Sequence, residues 1–346
     1  MIISAHRTFN LLFHSDHEKS EILSFINELS MEGEYITCRT SGSTGIPQEI
    51  KIKKQALIVS AKNTNSFFQL EAKDKIALCM SVDYIAGKMM IVRALIAGLT
   101  LAVYPVSAKL VEELHPCEFI ALFPKQLQGL MNSMEGIKKL KQCQKILIGG
   151  APISKPLEKQ LKNNKISIFQ SYGMTETVTH VALKTTGYRN EAYYKAIPGV
   201  SFKIVEDCLK IHYPEMQQNP IQTNDLVELK DTSQFKWIGR SDFIINSGGY
   251  KVSPENVEEK IQEILNVELM ITGVTDTEFG EKVGLVLQGS KDSINIHKSQ
   301  LKLVLHPYEV PKLVTFVHSF ERTANGKLDR KSSASKIRKS AWEILL

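Results

Sequence analysis

Between Glu34 and about Gly173, short runs of apolar, often β-branched residues alternate with longer stretches whose apolar residues recur at helical spacing. The runs predict strands at Tyr35–Arg39, Lys75–Ser81, Thr100–Tyr104, Phe119–Phe123, Lys145–Ile148 and Ser167–Gln170. The longer stretches predict helices at Lys54–Phe68 and Ala86–Ala97. Near-continuous apolar strands that alternate with helices imply a mostly parallel sheet covered on both faces. Ligands of such sheets bind outside the carboxyl ends of the strands.

After about Tyr188 the pattern turns β-rich, with strands expected at Ser201–Val205, Cys208–His212 and Asp225–Lys230. A polar junction follows at Gly239-Arg240-Ser241-Asp242. Beyond it, Ser253 and Pro254 have the character of an N-cap and a first helical residue. Val257, Ile261, Ile264 and Leu265 continue at amphipathic spacing. Strands are expected at Glu268–Val274, Lys282–Gln288 and Lys312–Phe316, with a helix near Ser299–Leu305. The expected fold class is α/β. A large N-terminal domain (1–239), with mostly parallel covered sheets and a β-rich subdomain, precedes a small mobile α+β domain (240–346).

Length and composition agree with this division. The 346 residues suggest about two domains and a sizeable core. Apolar residues at 43% and charged residues at 23% are proportions of a soluble globular protein. A net charge of +6 favours anionic ligands but falls short of a nucleic-acid footprint. The cysteines Cys38, Cys79, Cys117, Cys143 and Cys208 are scattered and never form C-x-x-C, which argues against a disulfide framework or zinc knuckle. The longest apolar run, Ala94 to Val106, is too short to span a bilayer. No secretory pattern opens the chain. A cytoplasmic protein is expected.

Four motifs carry candidate chemistry. Thr40-Ser41-Gly42-Ser43-Thr44-Gly45-Ile46-Pro47 directly follows a strand. Its glycines allow close backbone approach, and its N–H groups and hydroxyls can cradle phosphate oxygens. It is not a Walker A loop, because no G-x-x-x-x-G-K-[ST] runs through it. Ser171-Tyr172-Gly173-Met174-Thr175-Glu176-Thr177 offers a carboxylate for Mg²⁺ and a flat ring for a base. Asp225, then Arg240 and Asp242, then Ser247-Gly248-Gly249-Tyr250 offer a diol acceptor and a supporting cation. Asn325-Gly326-Lys327 makes a tight turn that presents a cation at its tip. Each has an ordinary structural account in isolation: a flexible loop, a helix start capped by Thr175, a turn, a surface ion pair, a solvated lysine.

In this order and spacing the motifs resemble the adenylate-forming superfamily of acyl-CoA synthetases, peptide-synthetase adenylation domains and luciferases. The resemblance covers T-S-G-S-T-G-x-P, Y-G-x-T-E, G-R-x-D, the glycine loop running into Ser253-Pro254-Glu255-Asn256-Val257-Glu258, and a late G-K. It implies attack of a carboxylate on Mg·ATP to give an acyl-AMP, small-domain rotation, and transfer of the acyl group to a thiol. Thr40, Ser41, Gly42, Ser43, Thr44 and Gly45 would cradle the β- and γ-phosphates. Tyr172 and Gly173 would line the nucleotide site. Thr175 would contact the α-phosphate, and Glu176 would ligate Mg²⁺. Asp225 and Arg240 would hold the ribose, Asp242 would be the hinge, and Lys327 the catalytic lysine. Gly248 and Gly249 would shape the tunnel for the thiol of coenzyme A. Two departures stand out. Gln48 replaces the loop's usual lysine, and only 39 residues precede the loop, so much of the usual first subdomain is expected to be absent or abbreviated.

Asp83-Tyr84-Ile85-Ala86-Gly87-Lys88 sits where the superfamily begins its acyl pocket and looks like the compact o-succinylbenzoate–CoA ligases of menaquinone synthesis. Tyr84 and Lys88 are the candidate acyl contacts, with Lys88 ahead of Arg93 as partner for the non-reacting carboxylate. Gly149-Gly150 would let an aryl ring lie against backbone. The expected ligands are an aryl acid, ATP with Mg²⁺, and coenzyme A, with no nucleic acid and no membrane span; a homodimer stays open. Two alternatives remain: an enzyme that loads a carrier-protein thiol, and a catalytically dead nucleotide-binding relative.

Overall fold

A computed structural model of the chain describes residues 9–14, 18–39, 49–106, 110–216, 219–265, 267–292, 294, 296–322 and 328–345. The phosphate-loop candidates Thr40 to Gly45, with Gln48, and the catalytic candidate Lys327 lie outside these residues.

The first strands and helices are β1 (Asn10–Phe13), α1 (Lys19–Ser30), β2 (Tyr35–Arg39), β3 (Glu49–Lys53), α2 (Lys54–Phe68), β4 (Lys75–Leu78), α3 (Ile85–Ala97) and β5 (Thr100–Val103). Next come α4 (Leu110–Glu113), β6 (Cys117–Leu122), α5 (Pro124–Met131), α6 (Met134–Gln142), β7 (Cys143–Ile148), α7 (Lys155–Asn163) and β8 (Ser167–Gly173). The β-rich stretch holds β9 (His180–Gly187), β10 (Tyr194–Ala196), β11 (Ser201–Val205), β12 (Cys208–His212), β13 (Ile221–Asp231) and β14 (Gln234–Arg240). The remainder holds β15 (Ile245–Ser247), β16 (Tyr250–Val252), α8 (Pro254–Gln262), β17 (Leu269–Asp276), β18 (Gly280–Gln288), α9 (Lys298–Leu301), β19 (Leu313–Val317), α10 (Arg330–Ser335) and β20 (Glu343–Ile344).

Among the described residues the largest sheet has twelve strands in the order β1-β5-β4-β6-β7-β8-β9-β10-β14-β13-β12-β11. From β1 to β8 every pairing is parallel; from β8 onward every pairing is antiparallel. The parallel half behaves as its apolar runs require. Its inner strands β4, β5 and β6 are buried on both faces, with α2 and α3 on one side and α5, α6 and α7 on the other, while β1 is a partly exposed edge. The strand order reverses between β4 and β6, which opens a crevice beyond their carboxyl ends. The side chain of Gln126 ties this edge together by donating to the Cys79 carbonyl at 2.7 Å.

Two expectations are corrected. Tyr35–Arg39 does not join the parallel sheet; β2 and β3 form a separate antiparallel ribbon. The run is apolar on one side only, with Ile36 and Cys38 buried while Tyr35 is exposed, as suits a ribbon covered on one face. The helix expected over Ser299–Leu305 is shorter, Lys298–Leu301, and its chain continues as turns to Leu305.

β15 to β20 form a second sheet, in which β17 pairs with β18 and α8 and α9 contribute to its core. Its contact with the large sheet rests on bare backbone. A Cβ on Gly239 would lie 2.4 Å from the Ser253 hydroxyl and 2.8 Å from a Glu255 carboxylate oxygen. Ser253 Oγ donates to the Ile238 carbonyl at 3.1 Å, and Lys155 on α7 pairs with Glu259 on α8 at 2.7 Å. Within the second sheet's layer, Glu258 is buried on α8. It accepts the Ile271 N–H of β17 at 2.6 Å and two contacts from the Arg330 guanidinium of α10. Removing one member of such a pair leaves the other charge buried and uncompensated, at a cost of about 3–5 kcal/mol. Glu258→Ala is therefore expected to lower the denaturant midpoint of this region strongly, while Glu258→Met combined with Arg330→Met recovers most of the loss.

Candidate nucleotide and acyl site

The site grows from the carboxyl end of β8, where the sheet changes from parallel to antiparallel. Tyr172 stands there with its ring edge-on to Phe235 at 4.9 Å and 5.9 Å from Tyr194. Its hydroxyl donates to Asp225 Oδ2 at 2.5 Å. Burial first, then the charge of Asp225, pushes the Tyr172 phenol well above its ordinary value, so it remains a donor. Gly173 must be glycine, since a Cβ there would lie 2.2 Å from the Thr179 carbonyl oxygen.

Thr175, Glu176 and Thr177 form a single 3₁₀ turn. Thr175 is not its cap. The tie is made by the Thr177 hydroxyl, which accepts the Met174 N–H at 2.9 Å and lies 2.7 Å from the Thr179 carbonyl. Glu176 is exposed on this turn. Behind it Val178 holds φ +64°, a conformation costly for a β-branched residue and one that clusters at functional loops.

Asp225 lies on β13, 7% exposed, opposite Arg240 on β14. Its second oxygen, Oδ1, accepts the Trp237 indole N–H at 3.1 Å. Arg240 bonds Asp242 through Nη2 at 2.5 Å, and Asn224 donates to the other Asp242 oxygen at 2.9 Å. Burial is the largest single influence on both Arg240 and Asp242 and opposes their charge. It is outweighed only jointly: the mutual hydrogen bond with the charges of Asp225 and Asp242 holds the guanidinium above its ordinary value, and the hydrogen bonds from Arg240 and Asn224 with the charge of Arg240 hold the carboxyl below its own. Tyr172, Asp225 and Arg240 are thus brought together, with Asp242 pinned beside them. Gly248 and Gly249 form the two-residue turn of the β15–β16 hairpin, at φ +58° and +84°, values that both turn positions of the mirror-image hairpin type require.

At the crevice edge, Tyr84 precedes α3 and Lys88 lies on its first turn. The Lys88 ammonium sits 4.2 Å from the centre of the Phe25 ring, in an open cleft of about 330 Å³ between α1 and the β4–α3 loop. Arg93 on the same helix is placed quite differently. It is 3% exposed, its Nε has no hydrogen-bond partner, and its Nη1 reaches only the Met90 sulfur at 3.4 Å. No carboxylate among the described residues pairs with it, and burial pulls its guanidinium down to about 10. The space a Cβ would take at Gly150 is filled by the Phe123 ring at 2.8 Å, and that at Gly149 by the Ser171 hydroxyl at 2.9 Å. Sequence reasoning did not single out Trp237 or Phe123, and it gave Thr177 no role within the motif that contains it. Only the proximity of Trp237 to Gly239-Arg240 could have drawn attention to it. Among the described residues no three His, Cys, Asp or Glu side chains assemble as a metal site, and no helix is long and apolar enough to cross a membrane.

A nucleotide-type site at the carboxyl edge of a half-parallel sheet defines a class, and comparison with known proteins identifies it. Residues 14–214 match the family described as AMP-binding enzyme, so the chain belongs to that family. Over 84% of its length it is 25% identical to a 2-succinylbenzoate--CoA ligase of Enterococcus faecalis, covering 67% of that protein. Over 74% it is 26% identical to the Escherichia coli protein of the same name, covering 59% of it. The chain thus spans roughly three-fifths to two-thirds of the length of these relatives. An acyl-CoA synthetase (AMP-forming)/AMP-acid ligase II-like protein from Dyadobacter fermentans superposes with a TM-score of 0.59 at 30% identity, with 92% of each chain covered. The fold is also shared with o-succinylbenzoate CoA synthetase from Bacillus subtilis in complex with the acyl-adenylate intermediate OSB-AMP, at TM-score 0.73 and 20% identity, covering 95% of this chain and 79% of that one.

His180, on β9, is fully buried with its Nε2 3.4 Å from the Thr64 hydroxyl. Burial and then the charge of Arg93 lower it from 6.5 to about 3. The folded value lies below the unfolded one, so the unfolded chain binds a proton that the native state does not. Stability is therefore lost as pH falls from 6.5 towards 3, by about 1.4 kcal/mol per unit. Denaturant titrations one pH unit below 6.5 and again near neutrality are expected to show this loss in the wild type, and a smaller one in His180→Asn.

Proposed function

We propose that this protein is an ATP-dependent acid–thiol ligase, which forms an acyl-AMP and then a coenzyme A thioester, with o-succinylbenzoate as the acid. The observation that carries the nucleotide half is the convergence of Tyr172, Asp225 and Arg240 on one edge, immediately beside the Thr175–Glu176 turn. A buried carboxylate beside a guanidinium suits a sugar diol next to a phosphate.

In the first step a carboxylate oxygen of the acid bonds to the α-phosphorus of ATP and pyrophosphate leaves. In the second the thiolate of coenzyme A bonds to the acyl carbon and AMP leaves. Mg²⁺ supplies charge neutralisation at the phosphates when bound. Glu176, exposed on its turn, suits an ion held by a single protein carboxylate together with phosphate oxygens and water. Thr175 would orient the α-phosphate, and Lys327 would offset the charge that develops during attack. Gly248 and Gly249 would line the thiol's approach. Residues 1–239 and 240–346 would be the large and small domains, with Asp242 at the hinge.

The family resemblance places Lys88 first as the partner for the acid's second carboxylate. The burial of Arg93 without a counter-charge supports Arg93 instead, because an isolated buried guanidinium is costly until an anion reaches it. Coupled assays of pyrophosphate release and thioester formation test the reading. Both are expected with o-succinylbenzoate and coenzyme A, and both should fall by roughly 10²–10³ in Lys327→Ala. Arg93→Met is expected to raise the KM for o-succinylbenzoate at least about tenfold while thermal stability holds or rises, since an apolar residue replaces a buried unpaired charge. Release of pyrophosphate with a different acid alone would remove the substrate assignment and keep the chemistry.

A further inference from the structure

We propose that Trp237 is a positioning residue for the ribose of the bound nucleotide and acts through Asp225. The inference rests on the nucleotide reading above. A carboxylate has two oxygens with about two acceptor sites each. In Asp225 one site on Oδ2 is taken by the Tyr172 hydroxyl and one on Oδ1 by the Trp237 indole N–H. One site remains on each oxygen. That pair matches the two hydroxyls of a vicinal diol, each donating to its own oxygen. Two fixed donors also stop the carboxylate from rotating about Cβ–Cγ, so the free sites keep one direction. An indole is suited to this task because its N–H can only donate. It therefore cannot compete with the carboxylate for the hydroxyl protons.

The backbone is built to bring Trp237 there. Along β13 and β14, Leu226 pairs with Gly239 but Val227 pairs with Trp237, so Ile238 is left without a partner. Directly opposed residues share a face of the sheet, and Asp225 and Val227, two apart, share one as well. In unshifted pairing Trp237 would oppose Glu228 and point to the other face. The one-residue bulge is what turns the indole towards Asp225. Thr223 holds the other side, its hydroxyl accepting the Asp225 N–H at 3.1 Å and donating to the Leu209 carbonyl at 2.7 Å.

The test compares nucleotides that differ by one hydroxyl. Trp237→Phe keeps a large ring and removes the donor. Calorimetric binding of AMP and 2′-deoxy-AMP to the full chain is measured for wild type, Trp237→Phe and Asp225→Asn. AMP affinity is expected to fall about tenfold in Trp237→Phe, while 2′-deoxy-AMP affinity falls about threefold or less, so that the preference for the ribonucleotide contracts. A loss of merely structural origin would weaken both nucleotides equally, and that result, or an unchanged preference, overturns the proposal. Asp225→Asn separates the layers. If it too loses the preference while Trp237→Phe keeps it, Asp225 binds the diol without help from Trp237. If Asp225→Asn keeps the preference, the ribose assignment itself fails. Should Trp237→Phe not fold, Tyr172→Phe removes the other donor and carries the same expected contraction.

Discussion

Everything at this site depends on the two unlike edges of β8. One edge pairs in parallel with β7, the other antiparallel with β9. Parallel strands need crossover connections, so the β7 side brings helices and open carboxyl-end loops. Antiparallel strands need only tight turns, so the β9 side brings a compact set of strands whose side chains face one another directly. Tyr172 lies at the tip of β8, just past its last parallel pair with β7 and opposite Ala182 of β9, while Asp225 lies within the antiparallel strands. Their hydrogen bond joins β8 to the antiparallel strands, and the candidate phosphate turn and the candidate ribose carboxylate meet there.

Charge in the interior follows two different rules. Glu258 and Arg330 satisfy each other, and their ion pair joins α8, β17 and α10 into one unit. Arg93 is buried with no such partner among the described residues, and its field helps keep His180 neutral. The contrast is between a buried charge matched within the fold and one that no described residue matches, and burial alone would not have drawn it.

Much of this was legible in the residues. β2, β11, β12 and α2 occupy the ranges that periodicity predicts. Ser253 caps α8 and Pro254 opens it, because both preferences are local to the backbone. What escaped was non-local. No pattern within Tyr35–Arg39 says that its partner is Glu49–Lys53 and not the parallel sheet. The difference between half-buried Lys88 and fully buried Arg93 could not be read from a helix whose residues are apolar nearly all round. Trp237 was invisible as a site residue because its direction depends on an unpaired neighbour in the ladder. Glycines were easier, since Gly173 and Gly239 stand where backbone or a neighbouring element leaves no room for a side chain.

The unpaired Ile238 has a further consequence, for how this chain can change over time. Its carbonyl receives the hydroxyl of Ser253, and that same hydroxyl caps α8 by accepting the Asn256 N–H. Its presence also sets the direction of Trp237. One extra residue in one strand thus serves the hydrogen bonding of Asp225, the cap of a helix and the contact between two sheets. Substituting its side chain leaves the backbone count intact and is compatible with all three. Deleting the residue would reverse the indole and withdraw the carbonyl at once. At this point of β14 the length of the chain is therefore more tightly constrained than the identity of its residue, and related sequences that keep the site should show varied side chains here but no gaps.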